Sequence, residues 1–173
     1  MTFAGYVESP YYQHILAKMF SGIGYPYHAR APTPEDFEVA RRNILRFTFV
    51  GLQEAFVTSV KLFFALMGQP PLPADSIYFQ PAELERDVKL GHGVRINGAQ
   101  AYVQFKKQLY RNATAIRHLQ KLNHYDMALY HVAVQAFCHK VSLFPCLLAE
   151  PVVQRELNRP TLCEHLFNNN NKK

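Results

Sequence analysis

One run of residues, from Ala40 to Phe63, constrains the fold of this chain more than any other. It reads as the end of a helix, a strand over residues 47–50, a turn at Gly51 and an amphipathic helix that begins near Glu54. The rest of the chain supplies hardly any other strand. Because a lone strand leaves its backbone N–H and C=O groups unpaired, this one must pair with strands of a larger domain or of a partner. The chain is therefore predicted to be α/β but mostly helical, with few strands.

The composition predicts one globular domain, and the net charge favours an anionic partner. The chain has 173 residues, of which 49% are hydrophobic, and a formal net charge of +6. That charge favours nucleic acid, acidic polysaccharide, a phosphorylated cofactor or a lipid surface as partner. Residues 1–160 are assigned to the domain, and residues 161–173 to a polar tail that is predicted to be disordered.

The cysteines and the targeting signals say less about function. Cys138, Cys146 and Cys163 lack metal-binding spacing and are interpreted as small apolar residues plus one exposed thiol, with a single bridge left open. No apolar run approaches the ~20 residues of a membrane span, and the N-terminus has no signal-peptide pattern. The triplet that begins at Asn112 and ends at Thr114 matches the N-glycosylation sequon, which is short enough to occur by chance.

Capping and turn residues predict the helix boundaries. Thr33 can cap a helix that begins at Pro34 and runs to about Leu45. Gly22 can stop an earlier helix. Residues 1–22 are predicted to be helical, with Ser9 and Pro10 as the cap and first-turn proline. A long helix is predicted after Asn123 or Asp126, either of which can cap it. Further helices are predicted over residues 54–67, 113–122 and 152–157, and a short one near 81–89 within the irregular segment 69–101.

Apolar residues recur at helical spacing on the first helix, at Ile15, Leu16, Met19 and Phe20, and on three later helices. Each stripe predicts the face that packs against the rest of the domain, and Pro145 and Pro151 are expected to end regular structure after the long helix. The stripes are Phe56, Val60, Phe63 and Met67; then Ile116 and Leu119; then Met127, Tyr130, Val134, Phe137 and Val141.

Three groups of residues occur in an order that resembles a known family. They are residues 2–7 with Pro10 and 19–22; Ala40 and Asn43 before Phe49, Val50, Gly51 and Glu54; and residues 122–126 before Leu129, Tyr130, Ala133 and Phe137. Together they cover most of residues 1–142. Their order and spacing resemble the C-terminal portion of the Golgi-type carbohydrate sulfotransferases, which include the uronyl 2-O-sulfotransferases.

The resemblance implies transfer of sulfate from 3′-phosphoadenosine 5′-phosphosulfate to a carbohydrate hydroxyl, on a P-loop-like sulfotransferase domain. The strand, turn and helix that bind the 5′-phosphosulfate in that family would precede Met1, and no G-x-x-x-x-G-K-[ST] cradle occurs in this chain. No catalytic residue is therefore assigned, and the chain alone is predicted to be inactive. A longer form that follows the family would lie in the Golgi membrane, and its missing part or a partner chain would complete the sheet.

The family's cofactor-covering loop would fall within residues 88–111. On their chemistry, Arg95 and Asn97 are predicted to bind the cofactor, and Lys106, Lys107 and Arg111 to bind a sulfated or acidic acceptor sugar. Each also fits a solvated basic face.

Two groups of residues that resemble a catalytic site and a metal site are interpreted as structural. Glu54 suits the positive end of a helix. No metal site is predicted, because no carboxylate or cysteine stands at ligand spacing from the histidines at positions 118, 124, 131 and 139.

Two other functions stay open. The first is a basic helical module that binds nucleic acid or another polyanion, although Arg41, Arg42, Lys106, Lys107, Arg111, Arg117 and Lys121 form no evident stripe. The second is a truncated relative of the enzyme with a structural role.

Overall fold

The computed structural model describes residues 8–24, 30–70, 72, 109, 111–158 and 162–163. The chain divides into two compact units, Met1–Leu72 with Asn123–Lys173, and Pro73–Leu122. The described residues are mostly helical, as predicted, and none of them lies in a β-strand. In chain order the helices are α1 (Ile15–Ser21), α2 (Pro34–Leu45), α3 (Phe56–Leu66), α4 (Ala113–Leu122), α5 (His124–Ser142), α6 (Pro145–Leu148) and α7 (Pro151–Leu157), of which only α4 belongs to the second unit.

Helix α2 begins and ends where the sequence predicts. Thr33 Oγ1 accepts from the backbone N–H of Asp36 at 3.3 Å, and the Asp36 carboxylate accepts from the Thr33 N–H at 2.8 Å. This capping box satisfies two backbone donors at the helix start, and Pro34 loses no needed donor at the first position. A local pattern therefore suffices to set this boundary.

The predicted start of the first helix is wrong. Ser9 and Pro10 lie in a turn, and α1 begins only at Ile15, after a left-handed His14 with φ 55°. The reason lies in α5, because the carboxylate of Asp126 accepts from the first backbone N–H groups of α1. The predicted stop is confirmed, since Gly22 follows the helix with φ 83°.

The predicted strand is also wrong. Residues 47–52 form an irregular segment that reaches an extended conformation at Leu52 (φ −117°, ψ 133°) and is not paired in a ladder with any described residue. The β-branched and aromatic residue types favour a strand, but a strand exists only where a neighbour pairs with its backbone. A short 3-10 turn, Gln53–Ala55, then leads into α3.

Two hydrophobic clusters form the core of the first unit, and α5 runs through both. Leu129 packs with Ala17, Ala40 and Ile44 of α1 and α2. Further along, Phe137 and Val141 pack with α3, α6 and α7.

The stripe predicted on α5 is therefore only half right. Phe137 and Val141 are fully buried, whereas Met127 and Tyr130 are exposed. The two halves of this 19-residue helix pack against different helices, so its buried face changes along its length.

The stripe predicted on α3 faces the wrong way. Phe56, Phe63 and Met67 are exposed, and the opposite face, with Thr58 and Leu62, is buried. Polar side chains can face the core here because Glu156 accepts from Thr58 Oγ1 at 2.6 Å. The α3 apolar face, defined as Phe56, Phe63 and Met67, is thus largely exposed, although Phe63 also contacts Phe49.

The cysteines correct another interpretation. Cys138 and Cys163, read from sequence as small apolar residues, form a disulfide with a Cα–Cα distance of 5.8 Å. Cys146 is free and exposed, as predicted for one thiol. The bridge joins α5 to a segment 25 residues later in the chain.

The later helices hold one more correction. Pro145 and Pro151 do not end regular structure, because each is the first residue of a helix, where its missing N–H costs nothing. Helix α4 has the predicted bounds, with Ile116 and Leu119 half-buried. The predicted helix near residues 81–89 and the last ten residues of the predicted tail lie outside the described residues.

Candidate functional site

An open apolar groove of about 540 Å³ crosses the first unit. We call it the groove; it lies between α1, α2, α5 and the segment 47–54. Most of its lining is aliphatic or aromatic, so it suits a ligand with an apolar face. The lining residues are Leu16, Phe20, Ile44, Phe47, Phe49, Val50, Gly51, Leu52, Gln53, Glu54, Leu129, Tyr130 and Ala133.

Aromatic contacts hold the wall of the groove in place. The ring of Phe47 meets that of Phe20 edge-to-face at 5.8 Å, and Phe49 meets Phe63 of α3 at 5.3 Å. Gly51 allows this approach, because a Cβ there would lie 2.8 Å from Cζ of Phe49 and 3.2 Å from Cβ of Ser59. The glycine of the predicted turn therefore serves close packing.

Part of the main chain of this wall has no hydrogen-bond partner among the described residues. Residues 48–51 neither donate nor accept a backbone hydrogen bond with any described residue. The next amide, Leu52 N, is bonded to Ser59 Oγ at 2.8 Å. The segment therefore presents a short row of free backbone donors and acceptors beside the groove.

Three polar side chains are part of the groove lining. Gln53 and the half-buried Glu54 line it from the 3-10 turn, and Tyr130 lines it from α5. Amide, carboxylate and phenol groups together can donate to and accept from hydroxyl groups.

A basic hollow is lined by the residues just before the groove wall in the chain, since Arg46 lines the hollow and Phe47 lines the groove. The arginine hollow has a volume of about 530 Å³ and is lined by Arg41, Arg42, Asn43, Leu45 and Arg46. Arg41 Nε donates to Glu38 Oε2 at 2.8 Å. Arg42 and Arg46 are exposed and have no ion pair with a described residue, so they are available to an anion.

Polar residues of the family resemblance act as caps between helices. Asn43 Nδ2 donates to the carbonyl of Phe20 at the end of α1, at 2.8 Å. At the other end, Asp126 accepts from Leu16 N at 3.1 Å and from Ala17 N at 2.8 Å. Asn123 Oδ1 accepts from His14 N at 3.0 Å instead of capping its own helix. These side chains fix α1 against α2 and α5 and so shape the groove.

The helix that follows the glycine turn does not form a phosphate cradle. The carboxylate of Glu156, on α7, accepts from Thr58 N at 2.8 Å and from Val57 N at 3.3 Å. An internal anion thus occupies the helix end that a phosphate would need. Since Asp126 occupies the start of α1 in the same way, neither helix start fits the nucleotide.

A buried polar cluster lies where α1 meets α5, and sequence reasoning missed it. His14 is 6% exposed, its ring lies 4.8 Å from that of His124 and 5.2 Å from that of Tyr125, and its Nδ1 has no hydrogen-bond partner among the described residues. Lys18, one turn later, is 1% exposed and donates through Nζ to the carbonyl of Pro10. The only sequence signal is the one-turn spacing of His14 and Lys18, which puts them on one helix face.

Burial sets the titration of this cluster. It lowers the pKa of His14 below 6.5, with His124 and Lys18 adding to the effect and Asp126 opposing it. Burial also lowers the pKa of Lys18, again against the pull of Asp126. Because neither side chain lines the groove, the cluster is a junction between α1 and α5 and not part of the groove.

The structure describes one of the five site residues predicted from sequence. Arg95, Asn97, Lys106 and Lys107 lie outside the described residues. Arg111 is exposed, just before α4 in the second unit. Among the described residues, no group of three or more His, Cys, Asp or Glu side chains could hold a metal ion.

Neither a membrane span among the described residues nor a similar protein identifies the chain. No helix within the described ranges is both long and apolar enough to cross a bilayer. No family model, no curated protein and no solved structure is significantly similar to this chain.

Proposed function

We propose that this chain is the helical, C-terminal portion of a carbohydrate sulfotransferase and supplies the surface that holds the acceptor sugar. The observation that carries the proposal is the groove of aromatic and polar residues beside the arginine hollow. In the complete enzyme the sugar hydroxyl would form a bond to the sulfur of 3′-phosphoadenosine 5′-phosphosulfate. The S–O bond to the phosphate would break, adenosine 3′,5′-bisphosphate would leave, and the hydroxyl proton would pass to a base outside the residues assigned here.

The chemistry of the surface fits an acidic sugar. Phe47 and Tyr130 are 46% and 36% exposed and offer ring faces to the C–H groups of a pyranose. Gln53 and Glu54 offer hydrogen bonds to its hydroxyl groups. Arg42 and Arg46 can pair with carboxylate or sulfate groups.

The family resemblance supports the same proposal. Ala40 packs with Leu129 and Ala133 in the cluster beside the groove, and Asn43 donates to the carbonyl of Phe20, which lines the groove. The unpaired backbone of residues 48–51 beside them also suits an added strand. A larger domain would supply that strand together with the cofactor site.

The nucleotide site is proposed to lie mainly outside this chain. Arg95 and Asn97 remain the residues proposed to reach the cofactor, and Lys106, Lys107 and Arg111 the ones proposed to reach the acceptor. The starts of α1 and α3 are occupied by internal carboxylates, which leaves no helix end there for a phosphate. Calorimetry with adenosine 3′,5′-bisphosphate should therefore show no tight binding to this chain and tight binding to a longer form.

Acceptor binding can be tested by calorimetry with a heparin-derived hexasaccharide. The double variant R42Q/R46Q should weaken binding about tenfold, since each ion pair of an exposed arginine is worth up to about 1 kcal/mol. R117Q/R155Q removes the same charge from two exposed arginines outside both cavities and should change affinity much less. Equal losses in the two variants would mean that net charge, and not the arginine hollow, determines binding.

The arginine hollow also favours a second candidate, a module for nucleic acid or another polyanion. This candidate predicts that a duplex oligonucleotide binds more tightly than the hexasaccharide, with affinity that falls steeply with salt. It also predicts that F47A leaves binding unchanged, whereas the sugar proposal predicts a loss with F47A.

A further inference from the structure

The N-glycosylation sequon lies on an exposed part of the second unit. Asn112 precedes α4, Ala113 is its first residue, and Thr114 follows. The side chains from Arg111 to Thr114 are all exposed. A glycan on Asn112 would therefore project into solvent without displacing a buried group.

The hydrogen bonds of Asn112 are compatible with a sugar. Its Oδ1 accepts from the backbone N–H of Ala115 at 3.0 Å and so caps the start of α4. Its Nδ2 donates to no described residue. Because a glycan is attached through Nδ2, capping and attachment use different atoms.

The disulfide gives an independent reason to place the chain in a compartment where glycosylation occurs. Cys138 and Cys163 are both 4% exposed and joined in the hydrophobic core. Such bridges form and persist in the endoplasmic reticulum and outside the cell, and are rare in reducing compartments. The bridge is independent of the proposed function.

We propose that Asn112 carries an N-linked oligosaccharide. The acceptor is the Asn112 side-chain amide, and the donor is a lipid-linked oligosaccharide diphosphate. A bond forms from Nδ2 to C1 of the first N-acetylglucosamine, the bond from C1 to the diphosphate oxygen breaks, and the lipid diphosphate leaves with its electron pair. One Nδ2 proton is released, and nothing is oxidised or reduced.

Variants can separate the glycan from the folding of α4. T114A removes the recognition hydroxyl and leaves the Asn112 cap, and T114S keeps the hydroxyl. A113P keeps both Asn112 and Thr114 but blocks the sequon, and proline is well tolerated at the first position of a helix. If T114A and A113P lose the glycan and T114S keeps it, the loss results from failed recognition of the sequon and not from unfolding of α4.

The test is secretion of the full 173-residue chain, behind a cleavable secretory leader, from cultured eukaryotic cells. The wild type and T114S should lose mass on treatment with peptide N-glycosidase, and peptide mass spectrometry should find Asn112 converted to Asp. T114A and A113P should show no shift. Secretion of a disulfide-bonded wild type without a glycan would overturn the proposal, and so would a glycan that persists in A113P.

Discussion

At the scale of single residues, two carboxylates stabilise helices to which they do not belong. Asp126, on α5, accepts from the first N–H groups of α1, and Glu156, on α7, accepts from those of α3. Each satisfies donors that a helix leaves open and complements the positive end of its dipole. Each therefore joins distant parts of the chain through one side chain.

Replacing Asp126 with alanine should lower the free energy of unfolding by about 1–3 kcal/mol, because the N–H groups of Leu16 and Ala17 lose charge-assisted bonds. Urea denaturation followed by circular dichroism measures the change. E38A is the matched control, since it removes an exposed carboxylate whose pair with Arg41 contributes about 0.5 kcal/mol or less. Similar small losses in both variants would contradict the capping role.

His14 should make stability fall in mild acid. Its pKa is lowered from 6.5 in the folded state, chiefly by burial, so the unfolded chain takes up a proton first as the pH falls. Its contribution is complete above pH 6.5 and is lost between 6.5 and the lower folded pKa. The slope from this one proton is at most about 1.4 kcal/mol per pH unit.

The matched variants for this pH effect are H14N and H139N. Asparagine tolerates the left-handed backbone of position 14 and does not titrate, so H14N should flatten the dependence of unfolding free energy on pH below 6.5. His139 is exposed, and H139N should leave the slope unchanged. Identical slopes in H14N and the wild type would show that another group titrates.

At the scale of elements, the sequence predicts those helix boundaries that are set by hydrogen bonds between residues close in the chain. The boundaries of α2 follow from Thr33 and Asp36, three residues apart, and are correct. The start of α1 depends on Asp126, 109 residues from Ala17, and could not be read locally. Segment 47–50 has strand residues but no described partner, and on α3 the polar face is buried because Glu156 bonds to it.

The groove wall offers a test at this scale. G51A should lower stability by about 1–3 kcal/mol, because the new methyl group would overlap the ring of Phe49 and crowd Ser59. In an F49A background the main overlap is absent, so the added cost of G51A should shrink. Unfolding free energies of the four chains give the coupling, and strictly additive costs would place the clash elsewhere.

At the scale of the whole molecule, the candidate site is assembled from distant segments. The pair Arg41 and Arg42 is evident from the sequence. Only the structure shows that Arg46, at the end of α2, lines the same hollow. The groove needs α1, α2 and α5 together, and no single stripe predicts it. The exposed α3 apolar face likewise follows from packing with α7, which the spacing of Phe56 and Phe63 does not reveal.

The disulfide should contribute about 3 kcal/mol to the stability of the first unit. Cys138 and Cys163 lie 25 residues apart, and the bridge restricts the unfolded chain over that loop. C138A/C163A should therefore shift the urea midpoint well below that of the wild type, and a phosphine reductant should do the same to the wild type alone. C146A removes the free and exposed thiol, and its urea midpoints with and without reductant should equal those of the wild type. If reduction of the bridge left the wild-type midpoint unchanged, the core of α3, α5, α6 and α7 would be stable without the bridge.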